Sequence, residues 1–371
     1  MGGFNDHLAI MFSNGDVYTV GANQYGNLGN NTTSSGATTT YQLANPSFGT
    51  GSFYVSCGEG YTGIVTVDNL VGSCGIGTSF QTVQNNTTEN HIFTQCIDPT
   101  LSNITNGFKV SCGYQHTSVL LLDGRVILCG SNQGKQLGLD NSITTSTPVY
   151  ATYADSTVIN TAIDISCGRS HTSILLSNTN VITMGLGSAL GIGDYGFKIG
   201  PKLIIDQNNV PISGINRISC GYDSTYLLSS NGDVFVCGSN TQGELATGAI
   251  DPSFYPQKIP DVYNAVSVSC GYLHGGIVIN NGTVFTCGIN NVGQVGTGNI
   301  DYKNYPYRIR NIDNAIGISC GKSHTAVLLS NGNVAVMGDN TFGQLGDGTT
   351  TTAYASILTN VSGALTINDV D

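Results

Sequence analysis

The chain has 371 residues, of which 40% are hydrophobic and only 9% are charged, and its net charge is −11. This length and hydrophobic content suit a globular protein with a large buried core. Its 12 Lys and Arg residues are scattered along an acidic chain, so we expect no direct binding of nucleic acid, which needs clustered basic side chains. No apolar run approaches the roughly 20 residues of a bilayer span, so we expect no membrane insertion.

An SCG tripeptide recurs along the chain and divides it into repeats. Its cysteines lie at Cys57, Cys112, Cys167, Cys220, Cys270 and Cys320, at intervals of 50 to 55 residues. A seventh copy is split between the termini, because residues 1–29 carry its hairpin and residues 364–369 align with residues 315–320. We therefore expect one domain over residues 1–371, with a split unit (1–29 plus 364–371) and repeats starting near 55, 110, 165, 218, 268 and 318. Repeats of this length are typical of propellers and solenoids.

Each repeat is predicted to consist of strands. Residues 266–270 alternate apolar and small polar side chains, as a half-buried strand does. A following pair such as Asn331 and Gly332 predicts a two-residue hairpin turn in which both residues take positive φ. A weaker fourth strand is predicted in the variable segment, for instance at residues 307–309. Four strands in about 50 residues predict an all-β propeller with seven blades.

The motifs S-C-G-x-x-H-T, N-G-x-V and G-x-N-x-x-G-Q-L-G follow one another at residues 319–346. This string resembles the repeat of the regulator of chromosome condensation family, whose members are seven-bladed β-propellers. The resemblance is strongest at residues 112–138, 220–248, 270–298 and 320–348, and weaker at 57–78 and 167–193. It implies a propeller in which one blade is closed by the N- and C-terminal segments together.

The resemblance also implies activities that can be weighed against this sequence. Guanine-nucleotide exchange on a small GTPase is the founding activity of the family, but no distinctive hairpin insertion stands out here. Members that dock on chromatin use basic surfaces, which this acidic chain lacks. The light-sensing branch uses clustered tryptophans, and this chain has no Trp.

Eleven cysteines raise the question of disulfides or a metal. Within a repeat, the cysteines fall on the first and third strands, roughly 9–10 Å apart across the second strand. A disulfide needs Cα atoms closer than about 7 Å. No C-x-x-C pair is present, so a zinc site is not indicated. We expect buried, reduced thiols and neither a metal nor a cofactor.

Five of the six histidines share one repeat position: His7, His116, His171, His274 and His324. They could form a ring for proton transfer or metal binding, or they could hydrogen-bond neighbouring backbone and fix the contact between blades. Tyr61 and Ser224 replace histidine in two repeats, which favours the structural role. No nucleophile elbow, phosphate-binding loop or zinc-protease motif is present. We therefore expect no catalytic residues and no enzyme.

The variable segments between repeats are the candidates for a functional surface. They are longer after Gly21, Gly75, Gly130 and Gly185 than after Gly238 and Gly288. Aromatic side chains in charge-poor loops can anchor a protein partner. The candidate protein-binding residues are Phe80, His91, Phe93, Tyr195 and Phe197.

Three functions are consistent with this sequence. The first is a protein-interaction scaffold or assembly subunit acting through propeller loops, whose partner is another protein or a copy of itself. The second is a structural component of a virus particle or another large homopolymer, since a charge-poor, Asn- and Thr-rich surface suits close packing. The third is guanine-nucleotide exchange. The start of the chain does not read as a signal peptide, so we expect a cytoplasmic protein or one within a particle assembled in the cytoplasm.

Overall fold

A computed structural model of the chain describes residues 6–44, 46–359 and 367–370. Within these residues, the strands form seven antiparallel sheets of four strands each. The prediction of an all-β propeller with seven blades is confirmed. The helical content of the described part is one short 3₁₀ helix, Ser188–Leu190.

The strands are numbered in chain order. The first three blades contain β1 His7–Phe12, β2 Val17–Asn23, β3 Ser34–Leu43, β4 Ser52–Gly58, β5 Tyr61–Thr66, β6 Val71–Gly75, β7 Asn90–Gln95, β8 Gly107–Cys112, β9 His116–Leu121, β10 Val126–Gly130 and β11 Thr145–Tyr150. Blades four and five contain β12 Ala162–Cys167, β13 His171–Leu176, β14 Val181–Leu186, β15 Phe197–Leu203, β16 Ile215–Cys220, β17 Ser224–Ser229, β18 Val234–Gly238 and β19 Ser253–Lys258. Blades six and seven contain β20 Ala265–Cys270, β21 His274–Ile279, β22 Val284–Gly288, β23 Lys303–Arg308, β24 Ala315–Cys320, β25 His324–Leu329, β26 Val334–Gly338 and β27 Ala353–Thr359. Strand β28, Ile367–Val370, belongs to the first blade.

The core of the protein lies between neighbouring blades. The described residues form seven hydrophobic clusters, and each of them combines side chains from two adjacent blades. The second strands β5, β9, β13 and β25 are buried along their whole length, since they contact a blade on each side. Each blade therefore buries apolar surface only with its neighbours, as expected for a ring of repeats.

The hairpin turns between the second and third strands differ from the prediction. In the third blade, the Gly124 N–H donates to the Leu121 carbonyl at 3.0 Å and the Leu121 N–H donates to the Arg125 carbonyl at 2.9 Å. This is a three-residue loop in which Gly124 has positive φ and Asp123 does not. The predicted two-residue turn is therefore wrong. The residue before glycine stabilises the turn through its side chain, because Asp123 Oδ1 accepts a hydrogen bond from the Arg125 N–H at 3.1 Å.

The first blade is completed by the C-terminal segment. Its sheet has the order β28-β1-β2-β3, so β28 is the innermost strand. Ile367 pairs with Phe12, and Val370 pairs with Ile10. By the equivalent pairing in the seventh blade, residues 367–370 correspond to residues 315–318, three positions from the alignment made on sequence. That alignment is wrong: it matched Ala364 and Ile367 to Ala315 and Ile318, whereas pairing with β1 places Ile367 at the position of Ala315. Its residues 364–366 lie outside the described part of the chain.

Two faces of the ring differ in what they display. The face that we call the hairpin face carries the turns between second and third strands and the first residues of the innermost strands. The opposite face, which we call the loop face, carries the SCG-x-x-H segments and the long loops between third and fourth strands. No helix in the described ranges is long and apolar enough to cross a membrane.

Candidate interaction surface

The innermost strands of neighbouring blades are joined through the SCG serine. Ser111 Oγ accepts a hydrogen bond from the backbone N–H of Cys167 in the next blade at 3.0 Å. The same contact joins Ser56 to Cys112, Ser166 to Cys220, Ser219 to Cys270 and Ser269 to Cys320. The buried serine thus satisfies a backbone donor across each of these seams and fixes the spacing of the strands around the axis.

The histidines of the repeat position lie at the same seams. His171 Nε2 is 3.0 Å from Thr225 Oγ1 in the next blade, and Thr225 Oγ1 donates to the Ala189 carbonyl at 2.8 Å. Since the only hydroxyl proton of Thr225 is used there, His171 donates from Nε2. Burial lowers the pKa of His171 to about 4, so the ring is neutral. The same arrangement, in which a histidine donates to a threonine hydroxyl that donates to a backbone carbonyl, recurs at three other seams. Its members are His7, Thr62 and the Asn27 carbonyl, His116, Thr172 and the Gln136 carbonyl, and His274, Thr325 and the Gln294 carbonyl.

The repeat that has tyrosine in place of histidine closes its seam in a related way. Tyr61 donates its hydroxyl proton to the His116 carbonyl at 2.7 Å. Its oxygen also lies 3.0 Å from Thr117 Oγ1, the hydroxyl equivalent to those that accept from histidine. The tyrosine therefore reaches across the seam to the same threonine position.

The repeat that has Ser224 in place of histidine shows a coupled change. The next blade has Gly275 where five other blades have threonine, so neither the histidine nor the threonine is present at this seam. The hydroxyl of Tyr226 occupies this space and donates to the Glu244 carbonyl. A Cβ on Gly275 would lie 2.2 Å from that hydroxyl oxygen, so only glycine fits beside it. Ser224, Gly275 and Tyr226 together thus replace the histidine and threonine and keep this seam buried.

The asparagine of the G-x-N-x-x-G motif organises the long loops, a role that the sequence analysis missed. Asn290 Oδ1 accepts from the Val295 N–H at 2.9 Å, and Nδ2 donates to the Asn299 carbonyl at 2.9 Å. Asn290 is fully buried. Equivalent asparagines at Asn23, Asn132, Asn240 and Asn340 make matching bonds. The recurrence of Asn at this motif position in the sequence indicates such a structural role.

Three of the five aromatic or histidine candidates for partner binding lie within the fold. Phe93 is fully buried and belongs to the cluster between the first and second blades. His91 packs against Gly26 of the first blade, where a Cβ would meet its ring at 2.6 Å. Phe80 is half-buried against the cluster between the second and third blades. A fully buried side chain cannot contact a partner without opening the blade, so Phe93 leaves the set of candidates.

Tyr195 and Phe197 are the two candidates that reach the surface. Tyr195 is 69% exposed and Phe197 is 56% exposed. Phe197 begins the outer strand β15 and pairs with Leu186, so both candidates lie at the loop face near the rim of the fourth blade. The structure therefore does not bring the five candidates together into one surface.

A different set of side chains, apolar except for one asparagine, surrounds the axis on the hairpin face. Each of the innermost strands β4, β8, β12, β16, β20 and β24 has a register shift at its second residue, which has no partner on the neighbouring strand. Bulges of this kind redirect a side chain away from the regular sheet. We call these six bulge residues the collar: Phe53, Phe108, Ile163, Asn216, Val266 and Ile316.

Four of the collar residues, Phe53, Phe108, Ile163 and Asn216, line a cavity of about 570 Å³ between the innermost strands. Its deeper wall includes Ile218, Val268 and Ile318, the fourth residues of their strands. Polar side chains come from the third residues, and among them Lys109 and Asp164 form an ion pair between two blades. The lining therefore combines apolar and polar surface in about equal parts.

The loop face presents a more polar and aromatic mouth. The rings of Tyr222 and Tyr272, from neighbouring blades, have centroids 3.9 Å apart, and the Arg169 guanidinium lies over Tyr222 at 4.5 Å. Burial raises the pKa of Glu59, another residue of this mouth, to about 7, while nearby Lys322 acts in the opposite direction. The residues of this mouth therefore contact one another, whereas the collar residues Phe108, Ile163, Val266 and Ile316 are exposed to solvent.

The cysteines contribute packing to this arrangement. All eleven are buried and reduced. Burial raises the pKa of Cys320 to about 11 and raises that of Cys220, so both thiols are protonated at neutral pH. Within the described ranges, no group of three or more His, Cys, Asp or Glu side chains is arranged to hold a metal ion.

Comparison with known proteins places this geometry in a family. A model of the RCC1-like domain matches residues 16–368. The chain is 31% identical over 155 residues to the human probable E3 ubiquitin-protein ligase HERC6, covering 41% of this chain and 15% of that protein. The chain thus spans only a small part of the length of this relative.

Two solved structures share the fold over almost the whole chain. Human WBSCR16 is 19% identical with a TM-score of 0.75, covering 96% of this chain and 94% of that one. Yeast RCC1 (Prp20), solved bound to Kap60, is 15% identical with a TM-score of 0.78, covering 96% and 85%. At this identity the likeness concerns the fold alone. With its family model matched over nearly all of its length and seven blades closed by both termini, the chain belongs to the RCC1-like domain family.

Proposed function

We propose that this chain is a non-enzymatic protein-binding module whose partner contacts the collar. One observation carries the proposal: the apolar collar residues Phe108, Ile163, Val266 and Ile316 are between 43% and 55% exposed. Exposed apolar patches on a soluble protein are typical of interaction sites.

The exposed collar side chains are not part of the core between the blades. The core between the innermost strands is supplied by the fourth residues, such as Val110 and Ile165, which are buried. The bulge at Phe108 leaves that residue outside the ladder of β8 and β9. Burial of such a side chain in an interface contributes about 1.5–3 kcal/mol, so a few collar residues supply substantial binding energy.

The net charge of −11 favours a neutral or basic partner surface around the collar over nucleic acid or anionic lipid. The yeast structure of the same fold contains a protein partner, Kap60, and we propose a protein partner for this chain as well. Two alternatives keep the protein-binding character: a second copy of this chain, as in a particle, and a small GTPase whose nucleotide is exchanged. Tyr195 and Phe197 at the loop face remain a second predicted contact surface.

Quantitative capture from source material tests the proposal. The immobilised full-length protein, a collar variant (Phe108→Ser with Ile163→Ser) and a loop-face variant (Tyr195→Ser with Phe197→Ser) are compared by mass spectrometry of the retained proteins. Thermal melting checks that all three are folded. We expect a specific protein to be retained by the unmodified protein and the loop-face variant, and to be lost at least ten-fold from the collar variant.

Each other outcome has a defined meaning. Loss from the loop-face variant alone would contradict the collar and support the surface predicted from sequence. Retention of the chain itself in a large homopolymer would support self-assembly, and a retained GTPase with accelerated nucleotide release would support exchange. Equal capture by all three proteins would contradict both surfaces.

A further inference from the structure

We propose that the axial cavity binds a linear peptide segment that presents one carboxylate between apolar side chains. This inference rests on the proposed function, because it names the part of a partner that enters the collar. The cavity of about 570 Å³ is within the range of roughly 300–1,000 Å³ that ligand pockets occupy. Its lining is about equally apolar and polar, so a segment that fills it must combine apolar side chains with a polar group.

The charges of the cavity wall indicate that the bound peptide carries a carboxylate. Lys109 and Arg217 supply two cations and Asp164 one anion, which leaves a net charge of +1 in a protein of net charge −11. Lys109 is neutralised by Asp164, and a backbone donor also occupies that carboxylate, from the Ile165 N–H at 2.9 Å. Arg217 is exposed and has no ion-pair partner among the described residues.

An arginine in this wall suits an anion that accepts two parallel hydrogen bonds, and its single charge matches a carboxylate better than a phosphate, which carries nearly two negative charges. Its planar guanidinium donates two parallel hydrogen bonds to a carboxylate, and both are strengthened where water is excluded. One cation matches one carboxylate. A run of acidic residues would meet the negative charge of the rest of the chain, so we infer a single acidic residue within an apolar segment.

The surface beside the cavity indicates a peptide and not a compact small molecule. The first residue of the hairpin turn is Val67 in the second blade and Leu122 in the third, 55% and 59% exposed. The other five turns have a polar residue there: Ser13, Ser177, Ser230, Asn280 and Ser330.

These two turns adjoin the collar. The Leu122 N–H donates to the Asn106 carbonyl at 2.8 Å, two residues before Phe108, and the Val67 N–H donates to the Gly51 carbonyl at 3.2 Å, two residues before Phe53. The rings of Phe53 and Phe108 are 6.4 Å apart between centroids. An apolar strip therefore continues outward from the cavity over blades two and three, which an extended chain would cover.

Peptide arrays test the inference directly. The probes are 12-residue peptides with randomised apolar positions and a fixed centre of one Glu, one Gln, one Lys or three consecutive Glu residues. Labelled full-length protein is applied, and the strongest binder is measured in solution by fluorescence anisotropy. Arg217→Gln removes the cation of the cavity, Val67→Ser with Leu122→Ser removes the strip, and Arg308→Gln is the matched control. Arg308 is an exposed arginine of the outer strand β23, also without an ion-pair partner among the described residues.

We expect the single-Glu peptides to bind best and Arg217→Gln to weaken them by about ten- to a hundred-fold, the effect of losing a charge-assisted hydrogen-bonded pair. The preference for Glu over Gln should disappear in that variant. The strip variant should weaken binding at least five-fold, and Arg308→Gln should change it less than two-fold.

The inference is overturned if no peptide binds, if Glu and Gln peptides bind equally, if three Glu residues bind best, or if Arg308→Gln has the larger effect. It is also overturned if decanoate, added as a competitor, binds tightly while the strip variant binds as the unmodified protein does, since the site would then take a small amphiphile. If the arrays fail but collar substitutions still abolish capture of a partner, only the peptide inference fails. Both fail if capture is unaffected as well.

Discussion

Each histidine of the repeat position is buried at a seam, and burial lowers its pKa to about 3 or about 4. An unfolded histidine has a pKa of about 6.5, so between these values the unfolded chain binds a proton that the folded chain does not. Stability is therefore present above pH 6.5 and is lost as pH falls. Each such histidine contributes a slope of about 1.4 kcal/mol per pH unit in this window.

We predict that the free energy of unfolding, measured in urea, falls steeply between pH 6.5 and 4. Burial raises the pKa of Glu59 to about 7 and of Asp223 to about 6, so these two carboxyls take up protons on folding and offset part of the slope. Replacing His116 by Gln should reduce the slope of the unfolding free energy against pH by about 1.4 kcal/mol per pH unit, the contribution of one proton. A stability that is flat from pH 7 to pH 5 would show that these histidines are not buried as neutral rings.

The buried asparagine of the long loops gives a second prediction for single residues. Asn290→Ala removes an acceptor from the Val295 N–H and a donor to the Asn299 carbonyl in a buried site, so it should cost about 2–4 kcal/mol. The control is Asn281→Ala in the same blade. Asn281 is exposed in the hairpin turn and accepts only from the Thr283 N–H, so its loss should cost less than about 1 kcal/mol. Equal losses for the two variants would contradict the organising role of Asn290.

At the scale of the element, five of the hairpin turns have a glycine in the left-handed region: Gly15, Gly124, Gly232, Gly282 and Gly332. Gly124 also lies against the connection that leads to the next blade. Gly124 has φ +79°, and a Cβ there would be 2.4 Å from the Asn160 carbonyl oxygen. Gly348 has φ +84° but no atom within 4 Å of such a Cβ. Gly348→Ala should cost roughly 1–2 kcal/mol from the backbone conformation alone, and Gly124→Ala should cost about 1–3 kcal/mol more. Thermal melts that rank the two variants the other way round would contradict this packing.

The elements also show what the sequence could predict and where it failed. The three inner strands of each blade follow from their alternating apolar residues, and the splitting of one blade follows from the half-repeats at the ends. The turn type failed because Asn331 with Gly332 suits two hairpin geometries, and the register of the flanking strands decides between them. The alignment of the closing strand failed because the apolar residues of so short a segment fit more than one register, and only pairing with β1 decides between them.

For the molecule as a whole, closure of the ring depends on β28. Ile367 is buried with Leu8, Ile10 and Phe12, and removing residues 367–371 would leave the inner edge of β1 unpaired. We predict a loss of at least about 1.5–3 kcal/mol from Ile367 alone, together with self-association through the open edge. Size-exclusion chromatography and thermal melting measure both. Ile367→Val, which keeps the strand, should cost only about 0.5–1.5 kcal/mol.

A peptide of residues 360–371 added in trans should restore the monomer and much of the stability of the shortened protein. If the shortened protein remains monomeric with an unchanged melting temperature, the two termini do not form one blade. The extent of the single domain over residues 1–371 stays a prediction.

The candidate site was harder to predict than the fold. Phe93 and His91 were chosen as aromatic or polar residues in a charge-poor loop, but packing against Gly29 and Gly26 of the first blade places them at a seam. The collar was missed because Phe108 and Ile163 read as ordinary strand residues. Only the register shift beside each of them, which depends on pairing with the second strand, places them outside the ladder around the axis.

The central claim, that the collar is the binding surface, is tested most directly by the affinity of the captured partner for two variants. Isothermal titration calorimetry would compare the unmodified protein with a collar variant carrying Phe108→Ser, Ile163→Ser and Ile316→Ser, and with Tyr195→Ser and Phe197→Ser combined. We predict that the collar variant binds at least a hundred-fold more weakly with nearly unchanged melting, while the loop-face variant binds within two-fold. Unchanged affinity of the collar variant, with weakened binding of the loop-face variant, would contradict the account.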